Sequence, residues 1–180
     1  MNLFLKRTMV LLLPIFALLL WNCEKDDICD PATPVTPRLV ISFFNAETNQ
    51  PRNITNLKVL SDEFTTPDTI PVFNGTNEIK IPLNIADDSA NFEFIYQSGN
   101  TNPDLIYSDE IQFNYTRTTE YVSRACGYRT IFDLNNDIAL PPPFLLNGTT
   151  PLVEGSWIKN IIVENHNINS ENETHLQIYF

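Results

Sequence analysis

The chain has 180 residues, with 11 Lys and Arg against 22 Asp and Glu and a formal net charge of −11. Acidity on this scale repels the phosphates of nucleic acid and the anionic headgroups of membranes, so nucleic acid is excluded as a partner. The length suits one main domain with a sizeable core, and with only two histidines and three cysteines no cofactor is expected.

Lys6 and Arg7 precede the uncharged run Met9 to Trp21. A membrane-crossing helix needs roughly twenty such residues, so this shorter run behind a positive start has the pattern of a secretory signal. Leu20-Trp21-Asn22-Cys23 resembles the lipobox of bacterial lipoproteins, in which a leucine stands three before the cysteine that becomes the lipidated N-terminus. That resemblance implies a signal peptide over residues 1 to 22 and a Cys23 that carries a diacylglycerol and an amide-linked acyl chain such as palmitate. Two or more chains make a stable anchor, where one holds only marginally.

The next four residues, Glu24-Lys25-Asp26-Asp27, look like the lysine-and-acid signal that sends lipoproteins of the Bacteroidetes group to the outer face of the outer membrane. The expected location is therefore the cell surface, with the periplasmic face as the alternative. Removing residues 1 to 22 takes away two cations and no anion, leaving a net charge of −13.

With Cys23 acylated, an exported chain is left with two thiols, Cys29 and Cys126, and these are expected to pair. From Cys23 to Cys29 the chain takes six steps, and fully extended these span about 20 Å. Pro31, Pro34 and Pro37 recur every third residue, the period of polyproline II, so residues 23 to 37 read as a tether and stiff entry to a domain over residues 38 to 180.

From Arg38 the chain alternates in short apolar stretches separated by Asn, Asp, Gly and Pro clusters, with no sustained helical period. Leu39, Ile41 and Phe43 share one face, as do Leu57 and Val59, Ile79, Ile81 and Leu83, and Phe92, Phe94 and Tyr96. In Asp109 to Arg117, Ile111, Phe113 and Tyr115 alternate with Gln112, Asn114 and Thr116, the pattern of a strand buried on one side. A further strand from Glu120 to Phe132 would carry Cys126, and Ile161 to Phe180 reads as a terminal hairpin.

Eight or nine such strands predict an all-β fold, an antiparallel two-sheet sandwich of the immunoglobulin- or transthyretin-like kind. The stretch from Asp133 to Ser156 is predicted as one long loop, and loops of that length are usually functional or hide an element. Within it, Phe144, Leu145 and Leu146 are either a partner contact or a cap on the core.

The segments "CEKDDIC", "TPRLVISFFN" at 36 to 45, "NLKVL", "IPLN" and "YVSRACGYR" at 121 to 129 are similar to those of an uncharacterised family of small Bacteroidetes-type lipoproteins, carried as a domain of unknown function. The resemblance implies a lipoprotein and no activity.

Candidate chemistry is sparse. If Val163 lies opposite Phe180 in the terminal hairpin, Glu164, His166 and His175 gather on one face and could hold a metal, the basis of an alternative reading as a metal-dependent hydrolase. A one-residue slip separates them. Asp133-Leu134-Asn135-Asn136-Asp137 begins like a calcium loop, but Ile138 and Phe144 stand where glycine and glutamate are needed, so an Asx-rich turn is the better reading. Thr69 and Ser89 lie in short acid-hydroxyl-apolar triplets of the kind used for O-glycosylation. The leading expectation is a non-enzymatic, outer-membrane-anchored module that binds a protein or glycan, or supports an envelope assembly, through its loops.

Overall fold

A computed structural model describes residues 28–61, 71–148 and 156–180. The signal segment, Cys23, the charges at 24 to 27 and Thr69 lie outside the described residues. Among those described, no helix is long and apolar enough to cross a membrane. The chain divides into two compact units, Pro34–Glu120 with Arg129–Phe180, and 28–33 with Tyr121–Tyr128.

The first sheet is built from β1 (Leu39–Phe44), β4 (Glu78–Ile81), β9 (Asn160–Val163) and β11 (Leu176–Tyr179), in the order β4-β1-β11-β9. The second comprises β2 (Leu57–Leu60), β3 (Val72–Phe73), β5 (Ser89–Tyr96), β6 (Tyr107–Ser123), β7 (Gly127–Leu134) and β10 (Asn167–Ile168), in the order β10-β7-β6-β5-β2-β3, with β8 (Phe144–Leu146) added against β6. The predicted two-sheet β-sandwich is therefore what forms. It has eleven strands among the described residues, and one pair departs from the antiparallel rule: β1 and β11 run parallel, with Ile41 opposite Leu176.

The predicted rows supply the core. Leu39, Ile41 and Phe43 from the first sheet and Phe94, Ile111 and Phe113 from the second are fully buried in one cluster. Aromatic rings join the layers: Phe180 meets Phe43 at 6.1 Å, Tyr96 at 5.4 Å and Trp157 at 5.6 Å between centroids. Tyr115, also buried, donates its hydroxyl to the Asn84 carbonyl at 2.9 Å, which satisfies the one polar atom its ring carries inward.

Two expectations about segmentation are corrected. The strand expected from Glu120 to Phe132 is split: its first residues, to Ser123, continue Asp109 to Arg117 in the seventeen-residue β6, and its remainder from Gly127 belongs to β7, with the break at 124 to 126. Phe144, Leu145 and Leu146 do not sit in a loop: as β8 they pair with Phe113, Gln112 and Ile111, so the predicted long loop is interrupted by a strand. A three-residue strand is too short to show its period, and only its pairing with β6 reveals it.

The smaller unit is the turn between β6 and β7 with residues 28–33. Cys126 lies in that turn and not in a strand, its N–H donating to Ser123 Oγ at 3.0 Å, while Gly127 adopts φ +70°. A hydroxyl that bonds the backbone locally competes with the ladder, and glycine adopts the left-handed conformation at little cost. Cys29 and Cys126 form the expected disulfide, with Cα atoms 4.9 Å apart across 97 residues. The entry is not extended throughout: Thr33 N–H donates to the Asp30 carbonyl at 2.8 Å and Ala32 N–H to Asp30 Oδ1 at 2.9 Å, folding residues 30 to 33 into an Asx turn.

Candidate functional site

The terminal hairpin forms in a different register from the one that would assemble a metal site. Val163 lies opposite Leu176, not Phe180. The intervening chain does not close as a simple hairpin, because Asn167 and Ile168 leave to pair with Asp133 and Phe132 of β7 in the other sheet. Ile168 is fully buried there, and burying that side chain favours the detour.

The two imidazoles consequently have structural partners. His175 is buried, its Nδ1 accepting from Val40 N–H at 3.0 Å, its backbone joined to Val40 as well, and its ring also bonded to the Ser170 backbone. Burial lowers its pKa below the usual 6.5, against the opposing pull of Glu173 and Glu171. His166 Nδ1 lies 2.8 Å from the Leu134 carbonyl, and Glu164 accepts from Gln177 at 3.2 Å. Among the described residues no group of three or more His, Cys, Asp and Glu is arranged to hold a metal ion. Of the stretch expected as an Asx-rich turn, Asp133 and Leu134 end β7, and the Asx turn starts only at Asp137, whose Oδ1 accepts from Ala139 N–H at 2.9 Å.

Phe144 and Leu145 are half-buried, and Leu146, at 1% exposure, is part of the core, so it does not offer the contact surface considered for this triplet. The exposed apolar residues of the segment come earlier. Ile138 is 103% exposed and Leu140 43%. They border a shallow cleft of about 590 Å³ completed by Asn135, Asp137, Pro143 and His166.

The wall of this cleft is held from behind. Asn114 donates its amide to the Pro142 carbonyl at 2.7 Å and its N–H to the Pro143 carbonyl at 2.9 Å, and Asn135 Nδ2 donates to the Pro141 carbonyl at 3.1 Å. Prolines have no N–H to satisfy, so a Pro-Pro-Pro run offers carbonyls to these amides and leaves no buried donor unpaired. Asn135 Oδ1 is buried without a hydrogen-bond partner. Since the Leu134 carbonyl can only accept, His166 donates from Nδ1, and its Nε2 is left as the ring's other polar atom. The cleft therefore joins exposed aliphatic surface to hydrogen-bonding groups on a braced loop, features suited to binding.

A second braced region was not singled out in the sequence. Asp109, 2% exposed, accepts from Ile158 N–H at 3.0 Å and from Asn147 Nδ2 at 2.9 Å, and Asn147 Nδ2 also reaches Ser156 Oγ at 2.9 Å. Asp109 shares the inward phase of Ile111, Phe113 and Tyr115, and a carboxylate in an apolar row was the available signal. Ser89 is half-buried at the start of β5, opposite Asn114.

Fold and site together define a disulfide-stapled two-sheet β-sandwich with a braced, partly apolar surface loop. The chain belongs to the family of unknown function DUF6452, which matches residues 56–180. No curated protein and no solved structure matches it.

Proposed function

We propose that this protein is a bacterial lipoprotein of the Bacteroidetes type, anchored to the outer membrane through Cys23 and facing the cell surface, and that it acts as a non-enzymatic binding or envelope-assembly module. The observation that carries the reading is the Cys29–Cys126 disulfide. It uses two of the three cysteines, leaving Cys23, which directly follows a short apolar run and a lipobox-like leucine at position 20, as the cysteine available for lipid. The acidic composition supports a covalent anchor over an electrostatic one, because a net charge of −13 on the processed chain is repelled by anionic headgroups. The binding role is supported by the cleft at Ile138 and Leu140, whose exposed aliphatic side chains suit a protein or glycan partner.

Intact mass and detergent-phase partitioning of the protein isolated from its native membrane test the anchor. The expected result is a chain beginning at Cys23 with the mass of a diacylglycerol and an acyl chain, recovered in the detergent phase, and a Cys23→Ser variant in the aqueous phase. A processed chain with Cys23 as a free thiol sinks the proposal. For the binding role, a photo-crosslinking residue at position 138 should capture a partner on intact cells that one at position 72 does not.

A further inference from the structure

The smaller unit presents apolar and aromatic surface that no core covers. Tyr121 and Tyr128 are 58% and 70% exposed, and their rings meet each other at 5.3 Å across the β6–β7 hairpin. Ile28, at 83% exposure, adjoins Cys29 and is brought to the same turn by the disulfide.

We infer that Tyr121, Tyr128 and Ile28 form a membrane-contact tip whose partner is the headgroup layer of the bilayer holding the Cys23 lipid. The inference rests on the lipid anchor proposed above. Charge favours it: the described residues of this unit carry one anion, Asp30, and one cation, Arg124, so they are neutral within a processed chain of net charge −13. These residues therefore add no net repulsion at an anionic surface, and the net charge of −2 on Glu24-Lys25-Asp26-Asp27 lies in the tether before them.

Reach favours it as well. Cys29 follows Cys23 by six chain steps, at most about 20 Å, so the stapled turn stays close to the bilayer whatever the orientation of the rest. A short tether gives an effective concentration in the millimolar range, so a contact with a Kd of about 1 mM is already substantially occupied. Tyrosine suits the headgroup region because its ring is apolar and its hydroxyl keeps hydrogen bonds to water and phosphate esters. Two such rings beside an isoleucine match that layer better than they match water.

The test uses full-length lipidated protein reconstituted into zwitterionic vesicles of phosphatidylethanolamine and phosphatidylcholine with shallowly brominated chains. Tyr128→Trp and, separately, Tyr121→Trp place an indole at the tip, and Ile138→Trp places one at an exposed position of the other unit. The expected result is flotation of all three, with the tip indoles quenched by bromine about twice as strongly as the one at 138, consistent with burial by several Å into the interface. Flotation with equal, water-like quenching by acrylamide at all three positions overturns the tip while leaving the anchor standing. Loss of flotation overturns both. Shielding of the tip indoles without bromine quenching assigns the surface to a protein, or to a second copy of this chain, and also overturns the inference.

Discussion

His175 Nδ1 accepts a hydrogen bond from the Val40 N–H at 3.0 Å, so a buried imidazole near the start of β11 clamps the backbone of β1, the strand it meets in parallel. The bond needs the Nδ1 lone pair, and protonation removes it. The folded imidazole is held below 6.5 by burial, whereas the unfolded one titrates near that value. Below pH 6.5 the unfolded chain thus binds the extra proton, so the contribution of His175 is complete above that pH and is lost as pH falls toward the lowered folded value. Urea unfolding at pH 7.5 and 5.5 should show wild type losing stability and His175→Asn, whose amide oxygen can accept from Val40, losing less. Parallel losses in the two proteins would reject the assignment.

Glu171 works in the opposite part of the pH scale. Arg38 donates its side chain to both carboxylate oxygens at 2.7 Å and its backbone N–H at 3.1 Å, with Lys80 3.6 Å away, and the Arg38 hydrogen bonds lower the carboxyl pKa from 4.5 to about 2. The contribution is present above 4.5 and disappears as pH falls from 4.5 to about 2. Glu171→Gln should cost about 1 kcal/mol at neutral pH, near the upper end for partly exposed pairs. In acid titrations of both proteins that gap should close below pH 4.5.

Breaking the staple should be the largest single loss. The Cys29–Cys126 bridge closes a loop of 97 residues, and in the chain-entropy picture a loop of roughly that length is worth about 4 to 5 kcal/mol. Cys29→Ser with Cys126→Ser should lower the urea midpoint accordingly, with the denaturant slope rising as the unfolded chain becomes freer. An unchanged midpoint would show that the unfolded chain is already restricted between these positions.

Asp109 accepts from both Asn147 Nδ2 and Ile158 N–H. Asp109→Ala leaves a backbone N–H and an amide without their acceptor, at a cost of about 2 to 4 kcal/mol, whereas Asp109→Asn keeps one acceptor oxygen and should cost about half as much. Thermal unfolding of the two variants measures the difference, and equal losses would mean that packing, not hydrogen bonding, sets the cost.

The two apolar sets flanking the proline run should separate cleanly. Leu146→Ser removes a core side chain and should cost about 3 kcal/mol, while Ile138→Ser, at a fully exposed position, should stay within about 0.5 kcal/mol of wild type. Loss, in Ile138→Ser at unchanged stability, of partner capture through a photo-crosslinking residue placed at Leu140 on the same cleft would tie that surface to binding.

Much of this architecture is legible in the residues. The rows Leu39, Ile41, Phe43 and Ile111, Phe113, Tyr115 face the core as their period of two predicts, because alternation is a local property that any pairing partner must respect. The cysteine pair follows from counting. The cleft was less legible, since Asn114 occupies the outward phase of β6 and is buried only because the proline run covers it.

By itself the sequence determined which side chains are apolar and in which phase, which two cysteines pair once the third is set apart, and that sheets rather than helices form. Only the tertiary structure decided that β1 meets β11 in parallel, that Ile168 crosses to β7, that Phe144–Leu146 join β6, and that His175 is buried and His166 braced at Leu134. The physical reason is range. Phase is set between neighbours, while register and partner depend on which distant surface buries the most area, and one residue of slip turns every side chain of a strand to its other face.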